Sequence, residues 1–154
     1  MLFDITATSG VWLQGGENMS NESTSFKGLR LLVVDDDPDT RTLLTFLFEL
    51  EGAEIITAAS ADDALKIISL FKPDILISDI YLPDEDGYSL LLKVRNLEAK
   101  RGRKIPAIAL TASAFDEDRN RALLAGYNIF RCKPIDLDEL VSAVASLAKL
   151  EEHV

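Results

Sequence analysis

The residues most able to do chemistry are charged and sit just past short apolar runs. Asp35-Asp36-Asp37 follows Leu31-Leu32-Val33-Val34, and Asp79 follows Ile75-Leu76-Ile77-Ser78. Thr111 closes the run Pro106 to Leu110, and Lys133-Pro134 comes shortly after Tyr127 to Phe130. Carboxylates such as Asp35, Asp36 and Asp79, if brought into one crevice, repel one another and raise one another's pKa. A hard divalent cation removes that conflict. Magnesium (or manganese) is the natural candidate, since magnesium takes oxygen ligands and keeps several waters. A backbone carbonyl from the loop after Asp79, that of Tyr81, would complete the protein's share of ligands. One carboxylate oxygen then remains to attack phosphorus, the chemistry of an aspartyl phosphate. The charge on the transferred oxygens would meet the Lys133 ammonium and the Thr111 hydroxyl.

Taken singly, each of these residues has a plainer reading. Asp35 to Asp37 can be a solvated turn whose last acid caps a helix, and Asp79 can be another turn acid. Thr111 can start the next helix, and Lys133 can be a surface lysine. The chemistry therefore depends on what brings them together.

The pattern of elements supplies that. Leu31 to Val34 reads as a strand buried on both faces. Asp37 and Pro38 read as N-cap and first position of a helix carrying Leu43, Leu44, Leu47 and Leu50 on one stripe, closed by Gly52. Glu54 to Ala58 is a second strand. Ser60 caps a helix with Ala64, Leu65, Ile68 and Phe71 inward, which Pro73 stops. Asp74 to Ser78 is a third strand, and a turn-rich loop from Asp79 to Gly87 leads into a helix through about Ala99. Pro106 to Leu110, Ser113 to Ala125 and Tyr127 to Phe130 read as strand, helix and strand. Asp136 opens the last helix, with Leu137, Leu140, Val141, Val144 and Leu147 facing in.

Strands alternating with helices imply an α/β fold, a parallel sheet covered on both faces. Right-handed crossovers leave the flavodoxin-like doubly wound (βα)5 order 2-1-3-4-5 as the compact solution. Its switch point lies between the first and third strands, and ligands bind beyond the carboxyl ends there. Asp35, Asp36, Asp79, Thr111 and Lys133 all land on that edge, which separate solvated loops do not explain.

Residues 1–27 differ in texture: Gly10, Gly15, Gly16 and the run Ser20 to Ser25 read as a flexible tail or linker containing one short apolar group, Val11-Trp12-Leu13. The folded domain is expected over residues 28–150, with 151–154 as a C-terminal tail. The 154 residues, 47% hydrophobic and 27% charged, suit one globular domain. A formal charge of -10 argues against duplex DNA and for cationic partners. No apolar stretch approaches the roughly 18–20 residues of a membrane span, and no signal-peptide pattern precedes the domain. The single cysteine, Cys132, fits a reducing compartment, so the cytoplasm is expected.

The segments Leu32-Val33-Val34-Asp35-Asp36-Asp37, Ile77-Ser78-Asp79-Ile80-Tyr81-Leu82-Pro83-Asp84-Glu85-Asp86-Gly87, Ala109-Leu110-Thr111-Ala112 and Cys132-Lys133-Pro134 closely resemble response-regulator receiver domains. The resemblance covers residues 29 to about 149. It implies that Asp79 is the phosphoacceptor and Asp36 a direct metal ligand, with Asp35 assisting through water and Tyr81 giving its backbone oxygen. Thr111 and Lys133 would contact the phosphoryl group, and Lys133-Pro134 would be a cis peptide. The family's aromatic switch position falls on Phe130, which has no hydroxyl, so switching with Thr111 would rest on packing. Tyr81 and Ser113 occupy positions that tune dephosphorylation in similar domains. The implied donor is a phosphohistidine on a sensor histidine kinase or phosphotransfer protein, and His153 is a tail residue rather than a donor. The implied output is a contact with a downstream protein, through a face that includes Phe115, Arg119, Arg121 and Asp138; the charge there equally fits a solvated surface.

Other classes remain to be weighed. A receiver belonging to a hybrid kinase or larger regulator would share the chemistry. A phosphatase-like aspartyl hydrolase wants a second acid two residues after the nucleophile, where Tyr81 stands, so no turnover beyond slow self-hydrolysis is expected. A flavodoxin-like cofactor binder would need a phosphate loop where Asp35-Asp36-Asp37 repels phosphate. A phosphorylation-independent interaction module would have little use for the complete acid set.

Overall fold

The computed structural model describes residues 26–102, 104–112 and 115–152. Period-two burial on the strands decides its architecture. In β1 (Arg30–Val34), Leu32 and Val34 enter one core and Leu31 and Val33 the other, because successive side chains of a strand point to opposite faces. Leu76 and Ile75 of β3 (Ile75–Ser78) divide in the same way, as do Ala109 and Ile108 of β4 (Ala107–Thr111). With both faces apolar, the sheet needs helices on both sides.

The sheet is parallel throughout, in the order β2-β1-β3-β4-β5, with β2 at Glu54–Ala58 and β5 at Ile129–Cys132. Helices α1 (Pro38–Leu50) and α5 (Leu137–Glu152) cover the face of Leu31 and Ile75, burying Leu44, Phe48, Leu140 and Val144 there. Helices α2 (Ala61–Phe71), α3 (Gly87–Arg101) and α4 (Asp116–Ala125) cover the other, with Ala64, Ile68, Leu90, Leu91, Val94 and Ala122. This is the flavodoxin-like (βα)5 arrangement expected from the sequence.

The helix starts follow from their caps. Asp37 accepts from the Asp39 N–H at 3.2 Å and from the Thr40 hydroxyl at 2.7 Å, with Pro38 in the first turn. Ser60, Asp86 and Asp136 cap α2, α3 and α5 in the same way, each accepting from the N–H three residues on. Helix α4 has no capping side chain at Phe115. Instead its first turn holds Asp116, Glu117 and Asp118, whose charges favour the positive end of the helix dipole.

Several details differ from the sequence reading, among them α4, which begins at Asp116 rather than Ser113, and β5, which ends at Cys132 rather than Phe130. The α1 stripe runs through Thr40, Leu44 and Phe48, at i, i+4, i+8, with Leu47 beside it; Leu43 and Leu50 are exposed. β5 begins two residues later than Tyr127, because the Tyr127 hydroxyl is drawn to the Gly87 carbonyl at 2.7 Å and the Asn128 side chain accepts from the Ala107 N–H at 2.8 Å. Phe26, placed with the tail, is buried: its ring stacks on Phe48 with centroids 6.2 Å apart, and its N–H donates to the Glu51 carbonyl.

Gly87 opens α3 hard against the backbone that follows β3. A Cβ there would lie 2.7 Å from the Asp79 carbonyl oxygen and 2.9 Å from Ile80 Cα, distances real side chains do not tolerate. Gly87→Ala is therefore expected to destabilise the domain by about 2–3 kcal/mol, the usual cost of overpacking. Urea unfolding at unchanged m-value would show it; a midpoint equal to wild type would mean that the loop has room to move.

Candidate functional site

The carboxyl ends of β1 and β3 are neighbours, and backbone bonds carry their pairing one residue further. The Asp35 N–H donates to the Ala58 carbonyl at 3.0 Å, and the Asp79 N–H to the Val34 carbonyl at 2.9 Å. Both aspartates are thus fixed by the sheet rather than by a loose loop, and both are buried. Asp36, one residue on, is exposed at the rim. From the other side, the Lys133 N–H donates to the Thr111 carbonyl at 2.7 Å, tying the segment after β5 to the end of β4. The Lys133-Pro134 peptide is cis.

The Lys133 ammonium reaches into the crevice. Its Nζ lies 3.1 Å from Asp79 Oδ2 and donates to it, and 2.9 Å from Asp35 Oδ2. The second contact is an ion pair without hydrogen-bond geometry, which leaves Asp35 Oδ2 buried with no hydrogen-bond donor. The remaining oxygens are taken by local N–H groups: Asp35 Oδ1 accepts from Asp37 at 2.9 Å and Asp79 Oδ1 from Tyr81 at 3.0 Å. Thr111 is fully buried at the same edge.

Burial pushes the Asp35 carboxyl above the ordinary aspartate range, against the pull of Lys133 and the Asp37 N–H. Burial also works to lower the Lys133 ammonium, but its contacts with Asp35 and Asp79 outweigh it, and Lys133 is held above the ordinary lysine value. The two shifts have different causes: burial raises Asp35, whereas its two carboxylate contacts raise Lys133. The one ammonium gains from both carboxylates, while its pull on Asp35 does not offset that group's burial.

A carboxylate oxygen from each of Asp35, Asp36 and Asp79 lies within 4.8 Å of the others. The Lys133 ammonium is shared between Asp35 and Asp79 with Asp36 beside them, so among the described residues the cluster carries more negative than positive charge. An all-oxygen, under-neutralised donor set of this kind fits a hard divalent cation and suits magnesium or manganese.

The structure therefore brings Asp35, Asp36, Asp79, Thr111 and Lys133 to one edge, as the strand ends implied. Phe130 is buried in β5, in register with Ala109 of β4, and belongs to the core on the side of α2, α3 and α4. Ser113 and His153, like the tail before Phe26, lie outside the described residues. Of the output-face residues, Phe115 is exposed, while Arg121 stacks on the Tyr88 ring at 4.2 Å and lies 4.0 Å from Asp86.

Four contributors escaped the sequence reading. Arg41 Nη1 donates to the Asp35 carbonyl at 2.8 Å, steadying the acidic turn from within α1. Asp84 accepts from the Ala61 and Asp62 N–H groups at 3.0 and 2.9 Å, tying the loop after Asp79 to the start of α2. Those bonds, from Asp62 and then Ala61, hold the Asp84 carboxyl below the usual range. Gly87 sets the start of α3 against the backbone after β3, and the Tyr127 hydroxyl donates to the Gly87 carbonyl. Only the turn-forming Pro83-Asp84 pair carried a local signal; the partners of Asp84 and Tyr127 are remote in sequence, and those of Arg41 and Gly87 lie across the loop before their helix.

Comparison with known proteins agrees with this geometry. Residues 31–145 match the family model described as response regulator receiver domain. The chain is 47% identical over 114 residues to an uncharacterized 14.6 kDa protein in the sodA1 3' region of Leptolyngbya boryana, covering 74% of this chain and 86% of that one. It is 35% identical over 121 residues to the sensor histidine kinase RcsC of Escherichia coli K12, covering 79% of this chain but 12% of the kinase. Response regulator Rre1 of Synechocystis is 36% identical over 120 residues, with 77% of this chain and 51% of Rre1 covered. Among solved structures, a CheY-like receiver domain protein of Methanospirillum hungatei superposes with a TM-score of 0.73 at 29% identity, over 82% of this chain and 98% of that one. The Francisella response regulator 1452 receiver domain gives 0.72 at 29% identity, over 80% and 99%. Among the described residues, no helix is long and apolar enough to cross a membrane. The family match over most of the chain, on a sheet whose switch-point edge gathers the acids and the lysine, means that this protein belongs to the response-regulator receiver domains of two-component signalling.

Proposed function

We propose that Asp79 accepts a phosphoryl group from a phosphohistidine of a sensor histidine kinase or phosphotransfer protein, and that the acyl phosphate alters contacts with a downstream protein. The observation that carries this reading is the placement of Asp79: buried at the end of β3, with Lys133 Nζ 3.1 Å from one oxygen and Asp35 and Asp36 beside it. An Asp79 carboxylate oxygen forms the new O–P bond, the donor's N–P bond breaks, and its electron pair stays on the imidazole. The Tyr81 N–H fixes the carboxylate's orientation through Oδ1. Lys133 and Thr111 would then face the transferred oxygens, where their charge and hydroxyl stabilise developing negative charge. Asp36, Asp79 and the Tyr81 carbonyl would hold magnesium or manganese, with Asp35 acting through water. Bound there, the ion supplies neutralisation of the acids and of the phosphoryl oxygens.

Thr111 and Phe130 are the proposed switch pair. A buried phenylalanine has no hydroxyl to exchange, so its response would be one of packing. The domain would act in the cytoplasm, without nucleic acid or membrane as partner, as an acceptor rather than a turnover enzyme. Self-phosphorylation from small donors and slow self-dephosphorylation are the reactions expected of it alone. The match to 12% of RcsC also supports a second setting, the same receiver within a hybrid kinase.

Intact-mass spectrometry after incubation with acetyl phosphate, with and without magnesium, tests the proposal. One added phosphoryl group that requires the metal is expected. No adduct under any condition would leave the fold standing and favour a phosphorylation-independent interaction module.

A further inference from the structure

Helix α1 carries a second apolar stripe that the core does not use. Leu43, Phe46 and Leu50, at i, i+3 and i+7, are 41%, 63% and 64% exposed, with half-buried Leu47 alongside. Exposed apolar residues scattered singly need no explanation, but a contiguous helical stripe marks a surface that something covers. We propose that its occupant is the chain's own Val11-Trp12-Leu13, folded back onto α1.

Two observations favour this occupant over a separate one. The chain enters the domain at the stripe's own end: Phe26 donates its N–H to the Glu51 carbonyl and stacks on Phe48, two residues from Leu50. The segment from Gln14 to Ser25 is polar apart from Met19 and contains Gly15-Gly16, so it can reverse direction and contributes little apolar surface itself. Reach is ample. The twelve residues between Leu13 and Phe26 span up to roughly 40 Å when extended, whereas Leu43 to Leu50 covers about 10 Å of helix. A tether of this length holds the segment at an effective concentration on the order of mM, above what a free partner usually reaches. The indole and two branched side chains match the stripe's chemistry, one large flat ring against Phe46 and aliphatic groups against Leu43 and Leu50.

Trp12 is the chain's only tryptophan, so its fluorescence reads the contact directly. In the full chain, the emission is expected to be blue-shifted from that of a free indole and poorly quenched by acrylamide, independently of protein concentration. Phe46→Ser/Leu50→Ser should shift the emission to the red and raise quenching several-fold, with the far-ultraviolet circular dichroism kept. Val11→Ser/Leu13→Ser leaves the domain's core untouched and should do the same, which guards against a folding defect in the first variant. Emission of a fully exposed indole in wild type, unmoved by either variant, would overturn the proposal and leave the stripe to a separate protein. A blue shift that grows with concentration would overturn it in favour of a second copy of the chain.

Discussion

Asp79→Asn is expected to take up no phosphoryl group from acetyl phosphate or from a phosphorylated donor protein, at any magnesium concentration. The amide replaces a carboxylate nucleophile by a group whose oxygen has no charge to give to phosphorus. The substitution keeps the shape of the side chain: the amide oxygen can still accept from the Tyr81 N–H at 3.0 Å, while the amide nitrogen replaces the oxygen that accepted from Lys133 and that one hydrogen bond is lost. The fold should not suffer for it. Removing one charge from a cluster of three carboxylates lessens their repulsion, and Lys133 keeps its contact with Asp35 at 2.9 Å. The variant should therefore unfold at a urea concentration no lower than wild type. Intact mass and urea unfolding together decide the matter. A persistent adduct on a folded variant would move the acceptor to Asp36 or Asp35, the other carboxylates in reach. Loss of both adduct and fold would leave the acceptor unassigned and contradict the view of this cluster as electrostatically crowded.

The fold was legible because its signals are local. Leu31-Leu32-Val33-Val34 can hardly be anything but a doubly buried strand, and Asp37-Pro38 marks a helix start with side-chain and backbone chemistry in adjacent residues. The site was legible for the same reason at one remove: parallel strands put their carboxyl ends on one edge, so the residues after each strand were bound to meet. Misreadings arose where a remote contact overrode local pattern. Leu43 and Leu50 fit an apolar stripe, yet the sheet packs against Thr40, Leu44 and Phe48, and no feature of the helix alone chooses between the two faces. Tyr127 and Asn128 look like strand residues until their side chains are seen to bind Gly87 and Ala107, elements far away in sequence. The role of Asp84 is of this kind too, since it acts on backbone groups of another element.

Removing the Lys133 charge from the crevice is expected to have two separable effects. Lys133→Met keeps most of the stem and deletes the charge, so Asp35 stays buried and loses its counter-ion. Truncating one partner of a buried pair costs about 3 kcal/mol or more, because the other charge is left uncompensated. Burial already holds the Asp35 carboxyl above its ordinary value, and without the ammonium it must rise further. An acid whose folded pKa exceeds its unfolded one binds more protons folded than unfolded between the two values. Stability of the variant should therefore recover as pH falls through the folded pKa of Asp35 toward the ordinary aspartate value. Wild type has the additional contribution of Lys133, whose raised pKa keeps it in force through neutral pH and up to the lysine's own deprotonation at alkaline pH. Urea unfolding across this range should thus show a wild-type advantage at neutral pH that shrinks on acidification. Magnesium should narrow the same gap at neutral pH by replacing the lost counter-charge. The rate of adduct formation should fall by about 10²- to 10³-fold, the loss of one group that stabilises charge on the transferred oxygens, and acidification should not restore it. Recovery of the rate together with the stability would mean that Lys133 serves only to hold the acids in place, and the phosphoryl contact proposed for it would be abandoned.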